Sequence, residues 1–97
     1  MASEVVWSLE AISDLDTLAD FIAKDSPFYA AAFVAEIRDA SRTLAVFSER
    51  GRTVPELNNE DIRELIIKNY RLIYLVEENR VTILSLIHSA RRLHIPS

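Results

Sequence analysis

The hydrophobic pattern changes from helical spacing to strand spacing near the middle of the chain, and this change constrains the fold more than any other feature. Apolar residues recur every three or four positions within residues 9–47, whereas residues 62–87 contain short runs rich in isoleucine, leucine and valine. The first spacing is typical of amphipathic helices, and the short β-rich runs are typical of strands. The sequence therefore predicts helices followed by a sheet.

Two helices are predicted in the first half, after a short strand at residues 5–7. Ser8 and Ser26 are suited to cap them, and Pro27 suits the first position of the second helix. The second helix is predicted to end near residue 47. A connection this short makes the pair an antiparallel hairpin. The candidates for the buried face of the second helix include Phe28, Ala31, Ala32, Ala35, Leu44 and Phe47.

The second half is predicted to form a loop at residues 48–59 and then three strands, at residues 62–68, 70–77 and 80–87. Short connections make these strands an antiparallel meander. Gly51 is expected to allow a turn with positive φ, and Asn79 to take a left-handed conformation. The predicted fold class is α+β, in the order β-α-α-β-β-β. A small antiparallel sheet is packed by an N-terminal helical hairpin in a single domain spanning residues 1–97.

Composition excludes several classes of function. The chain has no cysteine and one glycine, which excludes thiolate zinc sites, the P-loop and the dinucleotide fingerprint. His88 and His94 have no evident third ligand, so neither a metal nor another cofactor is expected. The longest apolar run, residues 28–35, is too short to span a membrane. No basic region precedes the first apolar cluster, so we expect no signal peptide and a cytoplasmic location.

Charge is unevenly distributed along the chain, whose net charge is -4. Residues 1–49 hold three basic against nine acidic side chains, and residues 50–97 hold eight basic against six acidic ones. Binding to a phosphate backbone is largely electrostatic, so the acidic balance argues against direct nucleic-acid binding by this chain alone. The second half could still carry a local anion-binding patch, or its arginines could form a solvated face.

Four segments of the second half occur in a recognisable order: F-S-E-R-G-R-T-V-P-E at 47–56, I-R-E-L at 62–65, Y-R-L-I-Y at 70–74 and I-H-S-A-R-R-L at 87–93. With the predicted element order, they resemble the RelE/ParE superfamily of type II toxins, specifically its ParE-like (plasmid stabilisation) branch. The resemblance extends from Trp7 to Leu93. It implies a growth-arresting toxin that a cognate ParD-like antitoxin neutralises in a hetero-oligomer. It also implies two alternative activities: ParE-like members inhibit DNA gyrase, and RelE-like members cleave messenger RNA on the ribosome without a metal.

The nuclease alternative gives four residues a catalytic role. Glu56 or His88 would act as base or acid, and Arg63 and Arg71 would contact the phosphate. Each also has a structural interpretation: Glu56 could pair with Arg52 or Arg63, Arg71 could hold a carboxylate across the sheet, and His88 could simply form hydrogen bonds.

Two features favour inhibition by binding, for which no catalytic residue is expected. The chain is acidic overall, and residues 88–94 lack the tyrosine that many nuclease members use to stack on a base. A third alternative is a member that retains antitoxin binding and has lost its toxicity.

Binding roles are predicted for two groups of residues in the arginine-rich half. Arg91, Arg92 and Leu93 combine charge with an apolar anchor, so we expect them to bind the target. The alternative is that Leu93 and Ile95 fold back over the sheet edge. An acidic, amphipathic antitoxin segment is expected to contact the toxin surface. The residues predicted for this contact are Arg52, Arg63, Arg71 and Tyr74.

Overall fold

A five-stranded sheet covered on one face by a helical hairpin makes up the computed structural model, which describes residues 3–91. The elements are β1 (Glu4–Trp7), α1 (Leu9–Ala23), α2 (Pro27–Thr43), β2 (Arg52–Thr53), β3 (Ile62–Ile67), β4 (Tyr70–Val76) and β5 (Arg80–His88). The strand order is β1-β5-β4-β3-β2. The predicted α+β fold is confirmed, including the antiparallel meander of β3, β4 and β5. β1 pairs with β5 in parallel, so the sheet as a whole is mixed.

The predicted helix starts are confirmed. The Ser8 hydroxyl accepts a hydrogen bond from the Ala11 amide at 3.0 Å, and the Ser26 hydroxyl accepts one from the Tyr29 amide at 3.2 Å. Each serine thereby satisfies one of the amides that a helix leaves unpaired at its N-terminus. Pro27 occupies the first turn of α2, as expected.

The C-terminus of α2 lies at Thr43, four residues before the predicted end. The Ser41 and Thr43 hydroxyls each donate to the carbonyl three residues earlier, at 2.7 Å. Such side-chain bonds compete with the helical ladder, and the Leu44 and Ala45 amides then bond to carbonyls three residues back. The remainder of the predicted helix therefore consists of turns.

The predicted buried face of α2 was largely wrong. Of the named candidates only Leu44 is buried; the phenylalanines and alanines among them are exposed. The stripe that packs on the sheet consists of Ala30, Phe33, Ile37 and Ser41. This stripe buries two large side chains, whereas the alanine-rich face has little apolar area to remove from water.

The face of the sheet toward the hairpin holds the hydrophobic core. Leu72 and Tyr74 of β4 lie in it beside Leu65 and Ile67 of β3 and Val81, Ile83 and Leu86 of β5, against Ala11, Leu15, Phe33 and Ile37 of the helices. Side chains alternate along a strand, so Glu64, Arg71 and Ile73 lie on the opposite face. We call this opposite side the open face.

Helix α1 is tied to the sheet where β1 ends. The Ser8 hydroxyl donates to the Leu84 carbonyl at 3.2 Å, and Asp14 Oδ2 accepts from the Leu86 amide at 3.0 Å. These side chains satisfy polar groups of β5 beyond its pairing with β1. No helix within residues 3–91 is long and apolar enough to cross a membrane.

Gly51 is required for close packing and not for an unusual backbone angle. Its φ is not positive, so that prediction was wrong. A Cβ at this position would lie 2.6 Å from the Tyr74 hydroxyl oxygen and closer still to the Glu64 carbonyl. Among the non-glycine residues within 3–91, Lys68 is the one with positive φ, at 53°, so the left-handed conformation predicted for Asn79 was also wrong. Residues 48–59 are not entirely loop, because they contain the short strand β2.

Candidate functional site

A buried pair of opposite charges lies near the centre of the open face. Glu64 of β3 is 1% exposed and Arg71 of β4 is 5% exposed. Charged side chains are rarely buried to this extent unless they are paired and hydrogen-bonded. Both conditions are met here.

Every nitrogen of the Arg71 guanidinium is engaged. Nε donates to Glu64 Oε1 at 2.6 Å, and Nη2 donates to Glu56 Oε1 at 2.7 Å. Nη1 donates both to Glu56 Oε2 at 2.8 Å and to the Arg91 carbonyl at 3.0 Å. The hydrogen bond to Glu56, together with the pairing to Glu64, outweighs desolvation and raises the pKa of Arg71 above its ordinary value. Arg71 is therefore a fully satisfied, permanently charged group.

The second oxygen of Glu64 binds another cation. Arg52 Nε of β2 donates to Glu64 Oε2 at 2.6 Å, and the Arg52 side chain is 63% exposed. We call Arg52, Glu64, Arg71 and Glu56 the charge cluster. It contains two positive and two negative groups, so opposite charges alternate from the edge of the sheet to the loop that follows β2. The structural interpretation of Arg71, a side chain that holds carboxylates across the sheet, matches this geometry.

Arg63 and His88 lie on the face that packs against the hairpin. Arg63 pairs in register with Tyr74, and its Nη1 donates to the Gly51 carbonyl at 2.9 Å. His88 pairs with Tyr70, whose ring it meets at 5.6 Å between centroids, and its Nδ1 accepts from the Ala90 amide at 3.1 Å. The structure therefore brings Glu56 and Arg71 together on the open face, whereas the strand register places Arg63 and His88 on the hairpin face.

The residues predicted to contact an antitoxin differ in their exposure. Arg71 and Tyr74 lie in the interior, so neither presents side-chain surface to a docked partner in this conformation. Arg63 is half-buried, and Arg52 is the exposed member of the set.

Burial also shifts the titration of Tyr74. Its hydroxyl oxygen accepts a hydrogen bond from the Gly51 amide at 2.8 Å. Desolvation raises the pKa of Tyr74 above its ordinary 10.0, although the Gly51 hydrogen bond and the charges of Arg63 and Arg50 oppose this shift. The folded chain therefore holds this proton more tightly than the unfolded chain.

We expect the free energy of unfolding to fall as the pH rises above about 10. The unfolded chain then loses the Tyr74 proton while the folded chain keeps it, so unfolding is favoured with a slope of at most about 1.4 kcal/mol per pH unit. Urea unfolding at several pH values measures this slope. Tyr74→Phe should lower it, whereas Tyr29→Phe, at an exposed tyrosine, should leave it unchanged. An equal slope in wild type and Tyr74→Phe would show that Tyr74 does not cause the pH dependence.

The segment after β5 begins in contact with the charge cluster. The Ser89 amide donates to the Asn69 carbonyl at 2.6 Å, and the Arg91 amide donates to the His88 carbonyl at 2.9 Å. Arg91 is exposed, and its carbonyl accepts from Arg71. Arg92 and Leu93, which with Arg91 form the predicted target-binding group, lie outside the described residues.

A groove of about 300 Å³ lies between the hairpin and β1. Its lining residues are Trp7, Ile12, Leu15, Asp16, Val34 and Arg38. We call it the hairpin groove. Ile12 is 43% exposed within it, and Leu9, one helical turn earlier, is 86% exposed. Apolar side chains left exposed around a groove are typical of a protein-binding surface. Sequence reasoning missed this site, although the apolar stripe of α1 is wider than one packing face requires.

Sequence reasoning also did not identify Glu64, which binds both arginines of the charge cluster. The available signal was that Glu64 and Arg71 each interrupt a strongly apolar strand. Within residues 3–91, no group of three or more histidine, aspartate or glutamate side chains is arranged to hold a metal ion.

Comparison with known proteins assigns the chain to a family. Residues 5–93 match the family model described as the ParE toxin of the type II toxin-antitoxin system parDE. A curated relative, Toxin RelE2 of Caulobacter vibrioides, is 33% identical over 90 residues, which are 92% of this chain and 98% of the relative. The chain belongs to the ParE toxin family, within the RelE/ParE superfamily of type II toxins.

Solved structures show the same fold at low sequence identity. The chromosomal ParDE toxin-antitoxin system from P. aeruginosa matches with a TM-score of 0.74 and 20% identity, covering 90% of this chain and 96% of that chain. The toxin-antitoxin complex RelBE2 from Mycobacterium tuberculosis matches with a TM-score of 0.63 and 22% identity, covering 94% and 95%. The fold thus occurs in both the ParDE and the RelBE systems.

Proposed function

We propose that this toxin arrests growth by binding and inhibiting DNA gyrase, without catalysing a reaction, and that a ParD-like antitoxin neutralises it. The observation that carries the proposal is the engagement of Arg71. Metal-free RNA cleavage requires a cation placed over the scissile phosphate, together with a base and an acid within reach of it. In this chain the candidate cation already binds two carboxylates and a carbonyl.

The placement of the other candidates supports the same proposal. Glu56 lies on the open face with Arg71, whereas Arg63 and His88 lie on the hairpin face. Side chains that leave a sheet on opposite faces are poorly placed to contact one phosphate together. The net charge of -4 further weakens association with RNA.

A ribosome-dependent messenger endoribonuclease is the second candidate, favoured by the 33% identity to a relative named Toxin RelE2. For that activity, Arg71 would have to release Glu56 when it binds RNA. A member that binds its antitoxin but is no longer toxic is the third candidate. All proposed targets and the antitoxin are cytoplasmic, so we propose the same location for this chain.

We propose that the antitoxin binds in the hairpin groove. An apolar side chain of an amphipathic segment fits between Trp7, Ile12 and Val34, and a carboxylate on the same segment can pair with Arg38 at the rim. The exposed Arg52 offers a further cation to an acidic segment. This arrangement buries surface that the isolated toxin leaves in water.

Induction of the toxin in growing cells tests the proposed function. We expect growth arrest, plasmid that loses negative supercoils, and no new message ends in primer extension. New message ends that disappear in His88→Ala, at an exposed residue, would instead support the ribonuclease. Unimpaired growth, combined with retained antitoxin binding, would support the non-toxic alternative.

A further inference from the structure

The start of the C-terminal segment is held by a side chain from the middle of the sheet. Arg71 Nη1 donates to the Arg91 carbonyl at 3.0 Å, while the same guanidinium is held by Glu64 of β3 and by Glu56 of the loop after β2. The loop after β2, strand β3 and the segment after β5 therefore meet at one planar group.

The geometry of arginine suits it to this role. A guanidinium has five N–H donors in a fixed plane, so two carboxylates determine its orientation and its remaining donor then points in one direction. Glu64 Oε1 lies 2.6 Å from both Nε and Nη2, and the two oxygens of Glu56 bind Nη1 and Nη2 separately. The donor left over on Nη1 meets the Arg91 carbonyl.

We propose that Arg71 is a positioning residue for toxicity: it fixes Arg91, and with it the start of the segment that binds the target, relative to the sheet. This rests on the proposed growth-arresting function and on the target-binding role that the sequence predicts for Arg91, Arg92 and Leu93. It does not depend on which molecule the target is. Under the proposed function the buried charge takes no part in chemistry. Positioning then accounts for it, because an apolar side chain could fill the space but could not hold a carbonyl.

Arg71→Lys tests the proposal, because lysine keeps the charge but has one nitrogen and cannot serve two carboxylates and a carbonyl in one plane. Amide hydrogen exchange at Arg91, whose amide donates to the His88 carbonyl, reports how well the segment is held. We expect exchange there to accelerate at least about tenfold, with the core amides of Leu72 and Ile83 unchanged.

Growth arrest provides the functional measurement. At equal soluble expression, Arg71→Lys should need at least about tenfold more toxin to arrest growth, while its affinity for the antitoxin remains that of the wild type. Arg80→Lys is the matched control: Arg80 also lies on a strand, pairs with Glu4 at 3.8 Å and is distant from Arg91 in the sheet. It should change neither exchange at Arg91 nor growth arrest.

Unchanged exchange at Arg91, or accelerated exchange with undiminished growth arrest, would overturn the proposal. If the core amides of Arg71→Lys also exchange rapidly, that variant is destabilised as a whole, and Glu56→Gln is used for the test in its place. Glutamine has one side-chain oxygen, so Glu56→Gln cannot accept hydrogen bonds from both Nη1 and Nη2 with two carboxylate oxygens. Amide exchange at Arg91 should again accelerate, and unchanged exchange would overturn the proposal. If the wild type arrests growth without inhibiting gyrase and without cleaving message, the proposed target is wrong, yet the comparison of Arg71→Lys with wild type still decides the role of Arg71. Message cleavage by the wild type that Arg71→Lys abolishes would overturn the proposal, because Arg71 would then be catalytic.

Discussion

Replacing Arg71 with alanine should lower the free energy of unfolding by about 3–5 kcal/mol. The substitution leaves Glu64, whose side chain is fully buried, with Arg52 alone, and it removes both hydrogen bonds that Glu56 accepts from Arg71. Breaking a buried pair from one side costs far more than the pair contributes, because the carboxylate remains out of water after losing its buried counter-charge, and the exposed Arg52 replaces only part of it. A domain of this size has a total stability of about 5–15 kcal/mol, so the loss is a large fraction of it.

Arg52→Ala is the matched control for this prediction. It removes the other cation from the same carboxylate, but the Arg52 side chain is 63% exposed, so water can replace it. The expected loss is about 1 kcal/mol or less. Urea unfolding curves with equal slopes allow the two variants to be compared directly. If the two variants lose the same free energy of unfolding, the buried cation contributes no more to stability than the exposed one, and the prediction is wrong.

Ile12→Asp should weaken antitoxin binding by at least about 30-fold, equivalent to about 2 kcal/mol. The substitution places a carboxylate in the apolar hairpin groove beside Asp16, where a docked segment would exclude water from it. Because Ile12 is 43% exposed in the free toxin, the fold itself should tolerate the change. Titration calorimetry with the purified antitoxin measures the affinity.

Ser13→Asp adds the same charge one residue later on α1, at an exposed position outside the groove lining. It should bind the antitoxin with about wild-type affinity. Equal affinity of Ile12→Asp and wild type would place the antitoxin on another surface, and the region around the exposed Arg52 would be the next to test.

Local signals made much of the fold predictable. Ser8 and Ser26 cap helices through contacts within three residues, and the meander follows from alternating side chains and short connections. The buried face of α2 was not predictable in the same way. Phe28 and the alanines form an apparent stripe, and only the position of the sheet selects Phe33 and Ile37 instead. Gly51 was misassigned because the Tyr74 hydroxyl that crowds it lies 23 residues away in sequence.

The charge cluster, too, could be predicted only in part from the sequence. The sequence predicted that Arg71 could hold a carboxylate, but it did not identify Glu64, because a lone charge on a strand is usually solvated. The loop after β2 brings Glu56 against Arg71, and that arrangement depends on contacts distant in sequence. The sequence therefore provided no reason to separate the four residues considered for catalysis, whereas the structure places two of them on each face of the sheet.

Supercoiling by purified DNA gyrase, measured alongside ribosome-dependent message cleavage with the same toxin sample, tests the central claim most directly. We expect dose-dependent loss of supercoiling, reversal by an equimolar amount of antitoxin, and no cleavage. The double variant Arg91→Ala/Arg92→Ala should lose inhibition while its melting temperature changes little, because the Arg91 contact to Arg71 is made by its backbone carbonyl. Undisturbed supercoiling together with message cleavage that requires Arg71 would contradict the account.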